Sequence, residues 1–148
     1  MEYETPCENQ ILWLLAPPRQ ARNIRSLEES YCVNCRGVLE TDDHLFLHCP
    51  RAASIWSRLG ITNRDGDQRM PWKIGWALPL PDVVSTGMVL LLLWNIWKAR
   101  NAMVFDNQDL PPAEILRRTT RDMDLWSCRY KKTSPFLLAW RDYLLARC

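Results

Sequence analysis

Three cysteines and a histidine are concentrated in residues 32–49, CVNCRGVLETDDHLFLHC, with the spacing Cys32-x2-Cys35-x8-His44-x4-Cys49. Zn²⁺ takes four tetrahedral ligands from cysteine thiolates and histidine nitrogens, and a Cys-x2-Cys turn places two sulfurs on one side of a metal. Four protein ligands leave no open coordination position, so the pattern predicts a structural Zn²⁺. One alternative is a pair of buried thiols with unrelated histidines. Another is a redox-active cysteine pair, but the βαβ pattern that surrounds such pairs is absent from this sequence.

The second half of this stretch reads as a short helix. Thr41 is a suitable N-cap, and the two aspartates that follow it suit a first helical turn. His44 to His48 would then be helical, with Cys49 just past the helix end and folded back. His48 lies one turn from His44 and could replace His44 or Cys49 as a ligand. The interpretation we prefer is an exposed helix-end histidine, which the helix dipole favours.

The composition predicts a mainly α-helical fold. The chain has 148 residues, of which 47% are hydrophobic, with 8 Trp, 10 Pro and only 5 Gly. This length corresponds to one domain, or to a domain with a small appended module. We predict a small zinc-bound subdomain followed by a Trp-rich bundle of about three helices. The expected segments are an irregular, truncated stretch at 1–30, the zinc-binding block at 31–60, a loop and Pro/Trp connector at 61–82, and the bundle at 83–148.

Helix boundaries follow from prolines, glycines and apolar periodicity. We expect a helix from Pro50 to Leu59 with Gly60 after its end, and an exposed loop over 63–68. The later helices are expected at 83–105, at 113 to about 131, and from Ser134 onwards. The stretch Val83–Trp97 holds 15 residues without a charge, below the roughly 20 that a membrane-spanning helix needs. It predicts a core helix, with a membrane-associated or cytotoxic role as the alternative.

Charge is unevenly distributed along the chain. The first 50 residues carry 4 basic and 8 acidic side chains, whereas the remaining 98 carry 15 and 9. A basic C-terminal part could face nucleic-acid phosphates, an acidic lipid surface or an acidic protein, and an ordinary solvated surface explains it equally well. The candidate nucleic-acid-binding residues are Arg117, Arg118, Arg121, Arg129, Lys131 and Lys132.

The sequence contains no recognisable catalytic constellation. Both histidines lie in the predicted zinc block, and no phosphate-binding loop or Ser/His/Asp group accompanies them. We therefore expect a non-enzyme without a small-molecule substrate. Glu2 and Glu4 argue against a secretory signal, and closely spaced cysteines are typical of metal sites in reducing compartments. A nuclear or cytoplasmic location is expected, while Arg19, Arg22 and Arg25 keep a mitochondrial location open.

Three stretches carry a resemblance to a known family. They are Cys32–Trp56, Leu91–Phe105 with its Trp-x-x-Trp-Lys-Ala-Arg-Asn string, and the last forty residues, which include the segments at 125–130 and 140–145. Together they resemble the zinc-binding region (zf-RVT type) and C-terminal tail of plant non-LTR, LINE-type, retrotransposon reverse transcriptases. The resemblance covers roughly residues 30–148.

The resemblance implies both ligands and a function. It assigns Cys32, Cys35, His44 and Cys49 to Zn²⁺, packs Trp56 on the zinc subdomain, and gives structural roles to Trp94, Trp97 and Asn101. It also implies that the zinc region helps to grip RNA or DNA.

Departures from the family limit what is carried over. Neither a polymerase nor an RNase H domain is present, and Trp13–Pro18 looks like a remnant of the helical segment that usually precedes the zinc region. The chain therefore resembles an isolated fragment of a mobile element. The alternative function is a protein-interaction or regulatory role adopted by a host, in which Zn²⁺ only holds the scaffold.

Overall fold

The computed structural model describes residues 31–62 and 71–148, and this part of the chain is mainly helical, as predicted. It contains no β-strand, although an isolated antiparallel bridge joins Tyr31 to Leu39. The expectations for residues 1–30 and for the loop at 63–68 fall outside the described residues. The α-helices are α1 (Pro50–Arg58), α2 (Ser85–Asp106), α3 (Pro112–Trp126) and α4 (Ser134–Leu145).

Helix α1 begins and ends where its sequence predicts. Pro50 occupies the first turn, where its missing N–H costs no hydrogen bond. Gly60 follows the helix with φ +88°, a left-handed conformation that favours glycine. The N–H of Ile61 then donates to the carbonyl of Trp56 at 2.8 Å, which satisfies a carbonyl of the last turn.

Helix α2 is the central element and runs without a break through Gly87. A Cβ at this position would lie 2.3 Å from Oη of Tyr130, so the glycine permits a close approach rather than interrupting the helix. Asn107 ends α2 in the left-handed conformation, with φ 52°. Among the described residues, no helix is both long enough and apolar enough to cross a membrane.

Helix α3 is shorter than its sequence predicts. The expected helix from 113 to about 131 ends at Trp126 and is followed by a 3₁₀ segment, Ser127–Thr133. The backbone leaves helical geometry at Tyr130, whose ring lies against Gly87 of α2. Arg129, Lys131 and Lys132 therefore lie on this 3₁₀ segment and not on an amphipathic helix. The connector before α2 likewise contains 3₁₀ turns, at Pro71–Ala77 and Asp82–Val84.

A single apolar core extends through the cysteine block and the helices. Cys32 and Cys49 belong to the same buried cluster as Trp56 of α1 and Trp140 of α4. Tyr143 of α4 also donates its hydroxyl hydrogen to the carbonyl of Leu59 at 2.8 Å. Because the cluster is continuous, any loss of order at the cysteines exposes apolar surface that the bundle also uses.

Candidate metal centre

Four side chains converge at one edge of the core. The ligand atoms of Cys32, Cys35, His44 and Cys49 all lie within 4.8 Å of one another. Cys32 and Cys49 are buried, whereas Cys35 and His44 are partly buried. These four are the residues that the cysteine–histidine spacing singles out, and the group could hold a metal ion.

The first two cysteines are placed by a tight turn. The N–H of Cys35 donates to the carbonyl of Cys32 at 3.2 Å, and the N–H of Cys32 donates to the carbonyl of Val38 at 2.8 Å. Gly37 takes φ +72°, which lets the chain reverse. Backbone N–H groups of Asn34 and Cys35 also bond the sulfur of Cys32. Such donors stabilise a thiolate, the form of cysteine that binds metals.

His44 and Cys49 are brought together by an unusual helical winding. The hydroxyl of Thr41 accepts the N–H of His44 at 3.1 Å, so Thr41 acts as the predicted N-cap. Residues His44–His48 then form a π-helix, closed by a bond of 2.6 Å from the N–H of Cys49 to the carbonyl of His44. In an α-helix, residues five apart point about 140° away from each other. The wider π turn makes this angle smaller, so both side chains can approach one point.

Two observations show that these donors fit a metal. The sulfurs of Cys32 and Cys49 are 3.9 Å apart, close to the roughly 3.8 Å between two thiolates on one tetrahedral zinc ion with Zn–S of about 2.3 Å. This separation is far too long for a disulfide, and both cysteines are free. Nε2 of His44 is buried and has no hydrogen-bond partner among the described residues. A metal ion would satisfy that nitrogen.

The surroundings raise the pKa of Cys32 and the pKa of Cys35. Burial is the largest influence on Cys32 and raises its pKa, with the neighbouring Cys49 thiolate adding to the effect. Burial, then the hydrogen bond and charge of Cys32, and then Cys49, raise the pKa of Cys35 to about 12. A thiolate at either position would lie close to neighbouring sulfurs, so Cys32 and Cys35 both resist losing their protons. A divalent cation would reverse that balance by neutralising the negative charge.

Polar contacts fasten this cluster to the helices. The indole Nε1 of the fully buried Trp56 donates to the carbonyl of Phe46, inside the π turn, at 2.7 Å. Arg100 of α2 pairs with Glu40, with Nε 2.9 Å from Oε1, and only 12% and 13% of these side chains are exposed. Arg51 joins the cysteine turn to the α2–α3 loop, since it bonds Asn34, the carbonyl of Leu110 and Asp109.

The other candidate ligands lie apart from the cluster. His48 is exposed, and its Nε2 lies 3.1 Å from Oδ2 of Asp43. Cys128 is exposed on the 3₁₀ segment, and Cys148 is partly buried at the C-terminus. Sequence reasoning did not find the Glu40–Arg100 pair or the Trp56–Phe46 bond, because nothing in the spacing indicates which residues meet across the core.

The predicted nucleic-acid-binding residues lie on two consecutive elements. Arg117 and Arg118 pair with Glu114 at 3.6 and 3.1 Å, and the hydrogen bond from Arg118 is the main reason that the pKa of Glu114 is lowered. Arg129 lies 5.7 Å from the ring centre of Trp126. Arg121, Lys131 and Lys132 are exposed.

Comparisons of the chain with protein-family models, with curated proteins and with solved structures give no match.

Proposed function

We propose that Cys32, Cys35, His44 and Cys49 bind one structural Zn²⁺ in a non-catalytic module. The supporting observation is the convergence of four donor atoms within 4.8 Å. Three thiolates and one imidazole are a soft, nitrogen- and sulfur-rich set, which favours Zn²⁺ over Mg²⁺ or Ca²⁺. Four protein donors complete a tetrahedron and leave no position for substrate or water. When bound, the ion would supply cross-linking and neutralisation, not Lewis-acid chemistry.

Metal binding should depend steeply on pH. Because the pKa of Cys32 and that of Cys35 are raised, these thiols are protonated near neutral pH before metal binds. Each must lose its proton to become a ligand, so affinity rises with pH and falls as the solution is acidified. We expect at least two protons released per Zn²⁺ bound near pH 7, one from Cys32 and one from Cys35. Calorimetric titration in buffers of different ionisation enthalpy measures this number, and a value near zero would contradict a thiolate site.

We further propose that the module binds nucleic acid, in keeping with its resemblance to the zinc-binding region of plant LINE-type reverse transcriptases. Its basic side chains support this proposal: Arg121, Arg129, Lys131 and Lys132 are exposed on α3 and the 3₁₀ segment after it. Such a surface attracts phosphate without reading sequence. The acidic residues of α3 offset part of this charge, because Glu114 pairs with Arg117 and Arg118.

Salt dependence tests nucleic-acid binding. We expect the zinc-loaded protein to shift both RNA and DNA at low ionic strength, with log K falling linearly against log salt concentration. The double variant Lys131→Gln/Lys132→Gln should lower that slope by about 1.4 on single strands, because each neutralised phosphate contributes about 0.7 to it. Thr133→Ala, next to the pair, is a matched control that leaves charge unchanged. Absence of any shift at low salt would overturn the proposal.

A protein-interaction role is the second candidate, and exposed apolar side chains favour it. Val83, Phe105 and Leu125 are 68%, 67% and 71% exposed, and α4 adds Phe136, Leu138 and Leu145. Val83 and Phe105 lie at opposite ends of α2, so these side chains offer separate places where a partner could bury apolar surface. Light scattering distinguishes this role from the first: a concentration-dependent increase in mass that Leu125→Asp abolishes would support it, and a monomer at all concentrations would count against self-association.

A further inference from the structure

Trp94 and Trp97 of α2 form a stacked pair near the protein surface. Their ring centres are 5.0 Å apart and the ring planes differ by 20°. Trp97 is 38% exposed, whereas Trp56 and Trp140 are 0% and 2% exposed. Trp97 is therefore not buried in the core, and part of its indole is accessible to a ligand from solvent.

The register between α2 and α3 relates Trp126 to this pair. The Nζ of Lys98 is 3.0 Å from Oδ2 of Asp122, which fixes the register between α2 and α3. Gly87 meets Tyr130 further along, so the two helices run antiparallel. One turn from the Lys98–Asp122 pair along each helix lie Trp94 and Trp126. By this register, Trp94 and Trp126 lie at the same level along the α2–α3 seam.

Cations accompany these rings. Lys98 lies 5.7 Å from the ring centre of Trp94, and the guanidinium of Arg129 lies 5.7 Å from that of Trp126. We call the side chains of Trp94, Trp97, Trp126, Lys98 and Arg129 the Trp–cation surface.

The geometry points to single-stranded nucleic acid as the ligand of the Trp–cation surface. Indole faces stack on unpaired bases, while neighbouring cations meet the phosphates between them. In a duplex the bases are already stacked on one another and cannot reach an indole. Asp122 is bonded by Asn95 at 2.8 Å as well as by Lys98, so two donors hold it and offset its repulsion of phosphate. This inference rests on the proposed nucleic-acid binding. It adds that the nucleic acid is single-stranded and that it binds at the Trp–cation surface.

The test compares labelled oligonucleotides by fluorescence anisotropy with the zinc-loaded protein. A single-stranded oligo(dT), an oligo(U) and a duplex of equal length serve as probes at one salt concentration. We expect the single strands to bind about tenfold tighter than the duplex. Trp97→Ala should weaken single-strand binding about tenfold, within the range for removing one stacked base, and leave duplex binding and the salt slope unchanged.

Trp76→Ala is the matched control, because Trp76 is 58% exposed and has its own cation, Lys73, 5.7 Å from its ring centre. It should leave both affinities unchanged. Arg129→Gln provides a second variant that keeps every indole. It should lower the salt slope on single strands by about 0.7, and this readout does not depend on whether Trp97→Ala folds.

The outcomes separate this inference from the proposed function. Binding of single strand and duplex with equal affinity, with Trp97→Ala like the native protein, overturns the inference and leaves general nucleic-acid binding intact. Displacement of the oligonucleotide by polyglutamate at equal charge concentration also overturns the inference. Polyglutamate carries negative charge but no bases, so its binding would show that stacking on the indoles is not required. Absence of binding to every probe at low salt overturns both.

Discussion

Cys49→Ser is expected to bind no Zn²⁺ and to lose the cooperative unfolding transition of the native protein. Structural Zn²⁺ in small proteins contributes an apparent free energy of about 10–16 kcal/mol at neutral pH. A domain of this size has a net stability of only about 5–15 kcal/mol. Cys49 is 3% exposed and belongs to the continuous core, so the damage should spread from the cysteine block into the helices.

The measurements are zinc content by atomic emission and thermal unfolding followed by circular dichroism. The native protein should contain one Zn²⁺ per chain and should melt much earlier in the presence of a chelator. Cys35→Ser should behave like Cys49→Ser. Cys128→Ser is the matched control, because Cys128 is exposed and lies outside the cluster, and it should match the native protein in both measurements. A zinc-free protein with an unchanged melting curve would show that no structural metal exists.

Trp56→Ala is expected to destabilise the zinc-loaded protein by about 3–5 kcal/mol, the usual cost of truncating a fully buried aromatic side chain. Trp56 is 0% exposed, and its Nε1 donates to the carbonyl of Phe46 at 2.7 Å. Truncation therefore leaves a cavity and an unpaired carbonyl inside the π turn that positions His44 and Cys49. Metal binding should also become weaker, because the π turn that positions His44 and Cys49 loses its hydrogen bond to α1.

Urea denaturation at saturating Zn²⁺ measures the stability change. Trp56→Phe separates the effect of the cavity from that of the lost hydrogen bond, since phenylalanine keeps most of the volume but cannot donate to the carbonyl of Phe46. It should lower the free energy of unfolding by about 1–3 kcal/mol. Trp76→Ala is the exposed control and should change stability by less than about 0.5 kcal/mol. An effect of Trp56→Ala as small as that of Trp76→Ala would mean that Trp56 does not hold the metal loop to the helices.

The local features of the fold follow from local sequence. Thr41 caps the turn that carries His44, Pro50 begins α1, Gly60 ends it, and Ser134 begins α4, each as its residue type predicts. These assignments succeed because capping and backbone conformation depend on a few consecutive residues. The predicted end of α3, at about residue 131, is wrong. Helical periodicity continues past Trp126, whereas the chain changes there to a 3₁₀ segment in which Tyr130 leaves helical geometry and meets Gly87 of α2.

The sequence by itself restricted the candidate metal ligands to the cysteines and histidines of residues 32–49, because ligand chemistry and close spacing confine the choice to one short stretch. The structure then placed His48 outside the group. Only the tertiary structure decided how that site joins the rest of the molecule. The π turn that aligns His44 with Cys49, the buried Glu40–Arg100 pair and the Trp56–Phe46 bond have no periodic signal. The Glu40–Arg100 pair joins segments 60 residues apart in sequence, where desolvation selects the partners that satisfy each buried polar group.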